Sequence, residues 1–308
     1  MRLLIKHAVA RGMIAAAVLS MFAACKSVPD ASPFAVAGSQ LHSAVMSAGI
    51  VVTSGLNEAE LANEAQSFST LWQVPDQCTL AMMRYGNALA NIVQATHNGD
   101  EAVQQVFDAG TKLADSLGIA VPPALAAGEV LALLKTIDRE VANVVAARSL
   151  EDALSRMQPA VDNVAIVMNR ELDAAGDILR NADGIVDTKL RLSYKAEVDY
   201  EQTLTKNRQA LYQKALTTDT TRQLDEIVHR EQVIAPVLAE RQQKYDLRNT
   251  RLQTRRELIN TAKQAVSNWA QAHRDLQAAV QSGGTLDLAA LNESIVELRA
   301  LIEKARAS

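Results

Sequence analysis

The chain has 308 residues, 48% apolar, 21% charged and only 4% aromatic, with a formal charge of −4. An acidic balance with few aromatic rings offers neither the basic footprint nor the stacking platforms that a general nucleic-acid binder needs. Helix formers dominate and alternating β-branched runs are scarce. The expected fold is therefore all-α: an elongated helical bundle with a long antiparallel, coiled-coil-like hairpin.

Met1 to Ala24 has the three-part form of a secretory signal. Arg2, Lys6 and Arg11 form a positive start, and Gly12 to Met21 an apolar run too short to span a bilayer. The run ends in Phe22-Ala23-Ala24-Cys25. This end resembles the lipobox of bacterial lipoproteins, with Phe22 standing where leucine is usual. The resemblance implies cleavage between Ala24 and Cys25 and acylation of the Cys25 sulfur and new amine, hence a lipid anchor. Lys26 stands where an aspartate would signal inner-membrane retention, which implies the outer membrane, facing the periplasm. It covers only these first residues and says nothing of the mature domain. Removing the signal takes away three of the 31 basic residues, leaving 28 against 35 acidic ones, a net −7.

Residues 25–40, with Pro29, Pro33 and Gly38, read as a lipidated tether, and 41–308 as a single all-α domain. Residues 41–56 are apolar but too short to span, so a buried core helix is expected there. Asn57 with Glu60 has the spacing of a capping box opening a helix to about Trp72. Pro75-Asp76 restarts the chain. His97-Asn98-Gly99-Asp100 is a turn, Asp100 the candidate cap of a helix ending at Gly118. Pro122-Pro123 marks the next break, before a helix over 124–147. Ser149 with Asp152 forms a second capping box. Pro159 is expected to open the long hairpin, 159–282, after the shorter helices of 41–158. A C-terminal helix follows over about 285–306.

Ile185 to Ser282 holds no glycine and one proline, Pro236. As one rod it would reach roughly 150 Å at ~1.5 Å per residue, so a fold-back is expected at Thr217-Thr218-Asp219-Thr220-Thr221. Outgoing seam positions Val161, Ala165, Met168, Leu172, Ala175, Leu179, Ala182 and Val186 alternate four and three apart, the spacing of packed helices. An extra four-residue step, 186–190–194, is a stutter that locally unwinds a supercoil. Beyond it the seam turns mixed: Leu190, Tyr194, Glu197, Glu201, Leu204, Arg208, Leu211, Ala215. The return seam mirrors this, with Arg241, Arg248 and Arg255 in its outer half and only His273 polar in its inner half. A turn near Asp219 makes facing residues sum to about 437 and sets Glu197 opposite Arg241. Residues 190–248 then form a two-helix arm that Pro236 should kink.

Chemical motifs are few. Glu226 and His229 share a helix face, but no second such pair accompanies them, so a solvated face is the better reading than a metal site. His273 beside Trp269 reads as a hydrogen-bonded core histidine. No phosphate-loop, nucleophile-elbow or zinc-protease spacing occurs. Arg241, Lys244, Arg248, Arg251 and Arg255 form a basic stripe, read as pairing with acids of the outgoing helix or as a contact for an anionic surface. Acylation consumes Cys25, so Cys78 has no partner for a disulfide and is expected as a buried thiol.

The function expected from these observations is non-catalytic binding or scaffolding in the cell envelope, without a cofactor. Its partners are the membrane, through the lipid, and an envelope protein. The arm tip is the expected contact: Leu211, Tyr212, Leu216, Thr217, Thr218, Asp219, Thr220, Thr221 and Leu224. The alternatives are a membrane-active protein inserting 41–56 or 119–147, and an envelope hydrolase or metal enzyme.

Overall fold

The computed structural model describes residues 29–95, 99–120, 128–214 and 217–307. Ala24, Cys25, Leu216 and the Pro122-Pro123 break lie outside the described residues, as do His97 and Asn98. Among the described residues the fold is all-α, eight helices and no strand: α1 Ser32–Glu58, α2 Ala62–Ala95, α3 Gly99–Ala120, α4 Gly128–Asn143, α5 Leu150–Ser193, α6 Lys195–Tyr212, α7 Thr218–Ser282 and α8 Ala289–Ala307. A 3-10 turn, Val144–Ala146, follows α4.

The chain forms two compact units. Unit 1 holds the described residues up to Val45, with Val74–Asn169 and Gln264–Ile295; unit 2 holds Met46–Gln73, Arg170–Lys263 and Val296 onward.

Several boundaries depart from the sequence reading. Residues 32–40 are helix rather than tether. Ala31, Phe34, Ala37 and Leu41 recur on one face and are buried, which repays ordering this segment. Asp30 Oδ1 accepts from the Ser32 amide at 2.9 Å, and Pro33 falls in the first turn, where its missing N–H is not needed. Pro75 and Pro159 open no helix; they lie inside α2 and α5. Buried neighbours on both sides (Val74 and Cys78; Met157, Ala160 and Val161) hold those helices together despite the lost hydrogen bond. α3 likewise passes Gly118, and Asp100 sits inside its first turn rather than before it.

Asn57 and Glu60 form no capping box, because α1 runs through Glu58. They close α1 instead. The Leu61 amide donates to Leu56 O and the Glu60 amide to Asn57 O, both at 3.0 Å. Glu60 has φ 59°, and Leu56 and Leu61 are both buried. This is the Schellman closure with its apolar contact, carried by a glutamate where glycine is usual. The second box is close to expectation: Ser149 Oγ accepts from the Asp152 amide at 3.1 Å, and Asp152 Oδ2 from the Arg148 amide at 3.1 Å. Gly283, at φ 71°, follows the end of α7.

The hairpin register holds in each unit. In unit 1, Asp162 pairs with Arg274 at 2.6 Å and Asn169 with Ser267 at 3.2 Å; both pairs sum to 436. In unit 2, Asp173 meets Lys263 at 2.6 Å, Asp183 meets Arg256 at 3.2 Å, Asp187 meets Arg248, and Arg208 meets Glu231 at 2.6 Å. These sum to between 435 and 439. The apolar seam from Val161 to Ala182 is buried throughout. The outgoing helix is interrupted at the end of the 186–190–194 step: α5 stops at Ser193, Tyr194 takes φ −113° and ψ 15°, and α6 starts at Lys195. α7, by contrast, stays continuous through Pro236.

Candidate functional site

Two surfaces of unit 2 and one buried network of unit 1 carry the chemistry available to this chain. The first surface is the arm. Between residues 190 and 250 the buried side chains, among the described residues, are Leu204, Leu211, Ile227 and Ile234 alone. Leu224 packs against the cluster that Leu204, Leu211 and Ile227 make. The seam is thus a single row of leucine and isoleucine. Leu192, Tyr200, Tyr212, Val228, Val233 and Leu247 stay exposed.

At the tip the predicted contact residues separate into two roles. Leu211 and Leu224 pack inside the arm, whereas Tyr212 is 68% exposed. The threonines cap α7. Thr217 Oγ1 accepts from the Thr220 amide at 3.2 Å, and Thr220 Oγ1 accepts from the Thr217 amide at 2.7 Å, a reciprocal box with threonine in the place of the usual Glu or Gln. Thr221 Oγ1 donates to Thr217 O at 3.0 Å, and Asp219 binds Arg222 at 2.7 Å. Thr218 is exposed at the helix start. Glu226 is held by Arg230. Among the described residues no group of three or more His, Cys, Asp or Glu side chains is placed to hold a metal ion.

The expected Glu197–Arg241 ion pair does not form within 4 Å. The Arg241 guanidinium instead lies over the Tyr245 ring, 5.0 Å from its centre. Glu197 Oε2 and Arg241 Nε are each buried without a hydrogen-bond partner. The ring draws the cation along α7, at a separation where cation–π attraction competes with a half-exposed ion pair.

The second surface is a groove of about 280 Å³ that sequence reading did not find. Its wall from the end of α1 and the following turn is Gly55, Leu56, Ala59 and Leu61. α5 supplies Ala182, Asp183, Val186, Lys189 and Leu190. α7 supplies Lys244, Leu247, Arg248, Arg251, Leu252 and Arg255. Four of the five stripe residues therefore line one cavity. A smaller cavity of about 220 Å³ shares Gly55, Arg251 and Arg255 and reaches Arg306. Gly55 makes the close approach possible: a Cβ there would overlap the Arg255 guanidinium.

One stripe residue, Arg248, meets an acid of the outgoing helix, and Arg251 and Arg255 also have interaction partners. Arg248 binds Asp187, while Lys244 binds Glu240 of its own helix at 2.7 Å and the Tyr194 hydroxyl at 2.9 Å. The hydrogen bond to Glu240, then that to Tyr194, hold the Lys244 ammonium above its ordinary range. Asp183 is the one acid among the described lining residues. Burial pushes its carboxyl up, against the pull of Arg256, Arg255 and Arg248. Arg248 Nε is buried with no hydrogen-bond partner.

In unit 1, His273 is buried and hydrogen-bonded, as its place on the seam suggested. The Tyr85 hydroxyl donates to its Nε2 at 2.9 Å, and its Nδ1 donates to Gln158 Oε1 at 2.6 Å. The tautomer follows from Gln158, whose Nε2 is used on Asp162 Oδ1 and Ala270 O, so that its Oε1 faces the ring as an acceptor. Phe34 stacks on Trp269 with centres 5.8 Å apart. Burial, with Arg274 adding to it, lowers the imidazole pKa to about 3, and burial pushes the Tyr85 phenol well up. Both groups are neutral at physiological pH, and the network is a specified core rather than a reactive site. Cys78 is buried as a thiol. A larger surface depression of about 630 Å³ lies between α2 and α3; its charges, Arg84 and Lys112 against Asp108 and Asp115, balance.

Comparison of the chain with protein-family models, with curated proteins and with solved structures gave no match.

Proposed function

We propose that this is a lipid-anchored binding or scaffolding protein of the cell envelope, held at the outer membrane through Cys25 and contacting a protein partner through the arm of residues 190–248. The observation that carries the reading is the economy of the arm. Among its described residues the arm encloses four buried side chains and leaves Tyr212, Tyr200 and Val233 in water. A segment that adds so little core, yet keeps aromatic and apolar groups exposed, is suited to a contact surface. With the tip threonines spent on capping α7, Tyr212 is the anchor of that contact. No catalytic residue is assigned.

The test shortens both arm helices by matched heptads, deleting 204–210 and 225–231, beside the point variant Tyr212→Ala. Both proteins should fold with nearly unchanged thermal stability and lose the partner captured by crosslinking in cells. Retention of the partner by both moves the contact off the arm. Cys25→Ser should abolish fatty-acid labelling, and persistent labelling would overturn the anchor.

A second reading, membrane insertion, is favoured by α1. Ser32–Asn57 is long and apolar enough by composition to cross a membrane; its most apolar 18-residue window has mean hydropathy 1.4 and is half buried in protein. Leakage from liposomes on addition of the non-acylated protein would favour insertion over scaffolding.

A further inference from the structure

The groove walled by α1, α5 and α7 in unit 2 has a composition that selects its ligand. Leu56, Leu61, Val186, Leu190 and Leu252 make one part apolar. Five of the six described ionisable residues that line it are cationic, with Asp183 the exception. A purely apolar ligand would desolvate those cations and return nothing to them. A small free anion would leave the leucine wall in contact with water. Among the described lining residues none is aromatic, so they offer a nucleotide base no aromatic stacking surface. The ligand that satisfies both parts has an acyl chain and a negative head.

The Arg248 guanidinium is already held, by Asp187 at Nη1, by Asn249 at Nη2 and against the Tyr245 ring 5.0 Å away, so the head group falls to Lys189, Arg251 and Arg255 of the lining. The volume, about 280 Å³, lies at the small end of ligand sites and fits one chain rather than two.

We propose that this groove binds a single-chain anionic amphiphile, its acyl chain along Leu56, Val186, Leu190 and Leu252 and its phosphate or carboxylate head among Lys189, Arg251 and Arg255. The site is independent of the arm-tip contact and of the anchor at Cys25.

The experiment titrates the full-length mature chain, without its lipid, with dodecyl phosphate below its micellar concentration, using calorimetry and thermal denaturation. Inorganic phosphate, dodecanol and dodecyltrimethylammonium serve as comparisons, and vesicles of anionic phospholipid as the bilayer source of the same head. The expected result is saturable one-to-one binding of dodecyl phosphate with a rise in Tm, and at least tenfold weaker binding of each comparison. The double variant Lys189→Gln/Arg251→Gln should lose at least tenfold in affinity. Leu247→Trp, placed at a half-exposed lining position so that the fold tolerates it, should block the groove and abolish binding. No binding of dodecyl phosphate, equal binding of inorganic phosphate or of the cationic amphiphile, or unchanged affinity in both variants would each overturn the proposal. So would binding to vesicles alone, which would make the stripe a bilayer contact.

Discussion

Arg208 donates from Nη1 to Glu231 Oε2 at 2.6 Å, joining the two helices of the arm where both side chains are partly shielded. This pair, rather than Glu197 with Arg241, is the ion pair nearest the tip that links the two arm helices among the described residues. A double-mutant cycle with Arg208→Ala and Glu231→Ala should give a coupling of about 0.5–1 kcal/mol, the range of partly exposed ion pairs. The same cycle on Glu197 and Arg241 should give none. A larger coupling for the second pair would show that Arg241 leaves the Tyr245 ring in solution.

Burial of His273 makes stability depend on pH in a defined direction. Its folded pKa, about 3, lies below the ordinary value of 6.5. The unfolded chain therefore takes up this proton first as pH falls. Its contribution is fully present above about pH 6.5 and is lost progressively down to about pH 3, with a slope of at most about 1.4 kcal/mol per pH unit. Urea denaturation at pH 7, 6, 5 and 4 should show this loss. The variant His273→Gln, even if less stable at pH 7, should fall less steeply. Parallel slopes for the two proteins would mean that the imidazole is solvated and titrates normally.

Glu60 closes α1 in the left-handed region, where a side chain costs roughly 1 kcal/mol and glycine costs little. Glu60→Gly should therefore raise stability by about 0.5–1 kcal/mol in denaturant melts, while Glu60→Val should lower it. Destabilisation by glycine would show that the glutamate side chain contributes more than the backbone strain removes.

Much of the long helical pair was legible because periodicity is a local property of sequence. The seam from Val161 to Ala182 and the register near 437 come from counting apolar positions; the seam is buried and the polar pairs within each unit follow the register. What misled were signals whose outcome depends on distant partners. Pro75 and Pro159 look like breaks until the buried side chains on either side are seen to hold the helix through them. Asn57 and Glu60 have the spacing of a helix start, but a buried pair, Leu56 with Leu61, makes them a helix end. The same limit applies to the sites. His273 stood out on its seam, yet Tyr85 and Gln158, its partners, are 188 and 115 positions away. The basic stripe was visible as charge on one helix. That it faces a leucine-lined cavity depends on Gly55 and Leu56 of α1, which no spacing connects to it.

The single row of leucine and isoleucine inside the arm also sets a timescale. Backbone amides there are shielded by one layer of side chains, whereas those around Trp269 lie under a full core. Opening that row exposes little apolar surface, so the described arm residues are expected to exchange their amide hydrogens by local opening, before the rest of unit 2. A partner that closes over Tyr212 would quench that opening and bear the entropy of doing so, which favours fast exchange of partners over long residence.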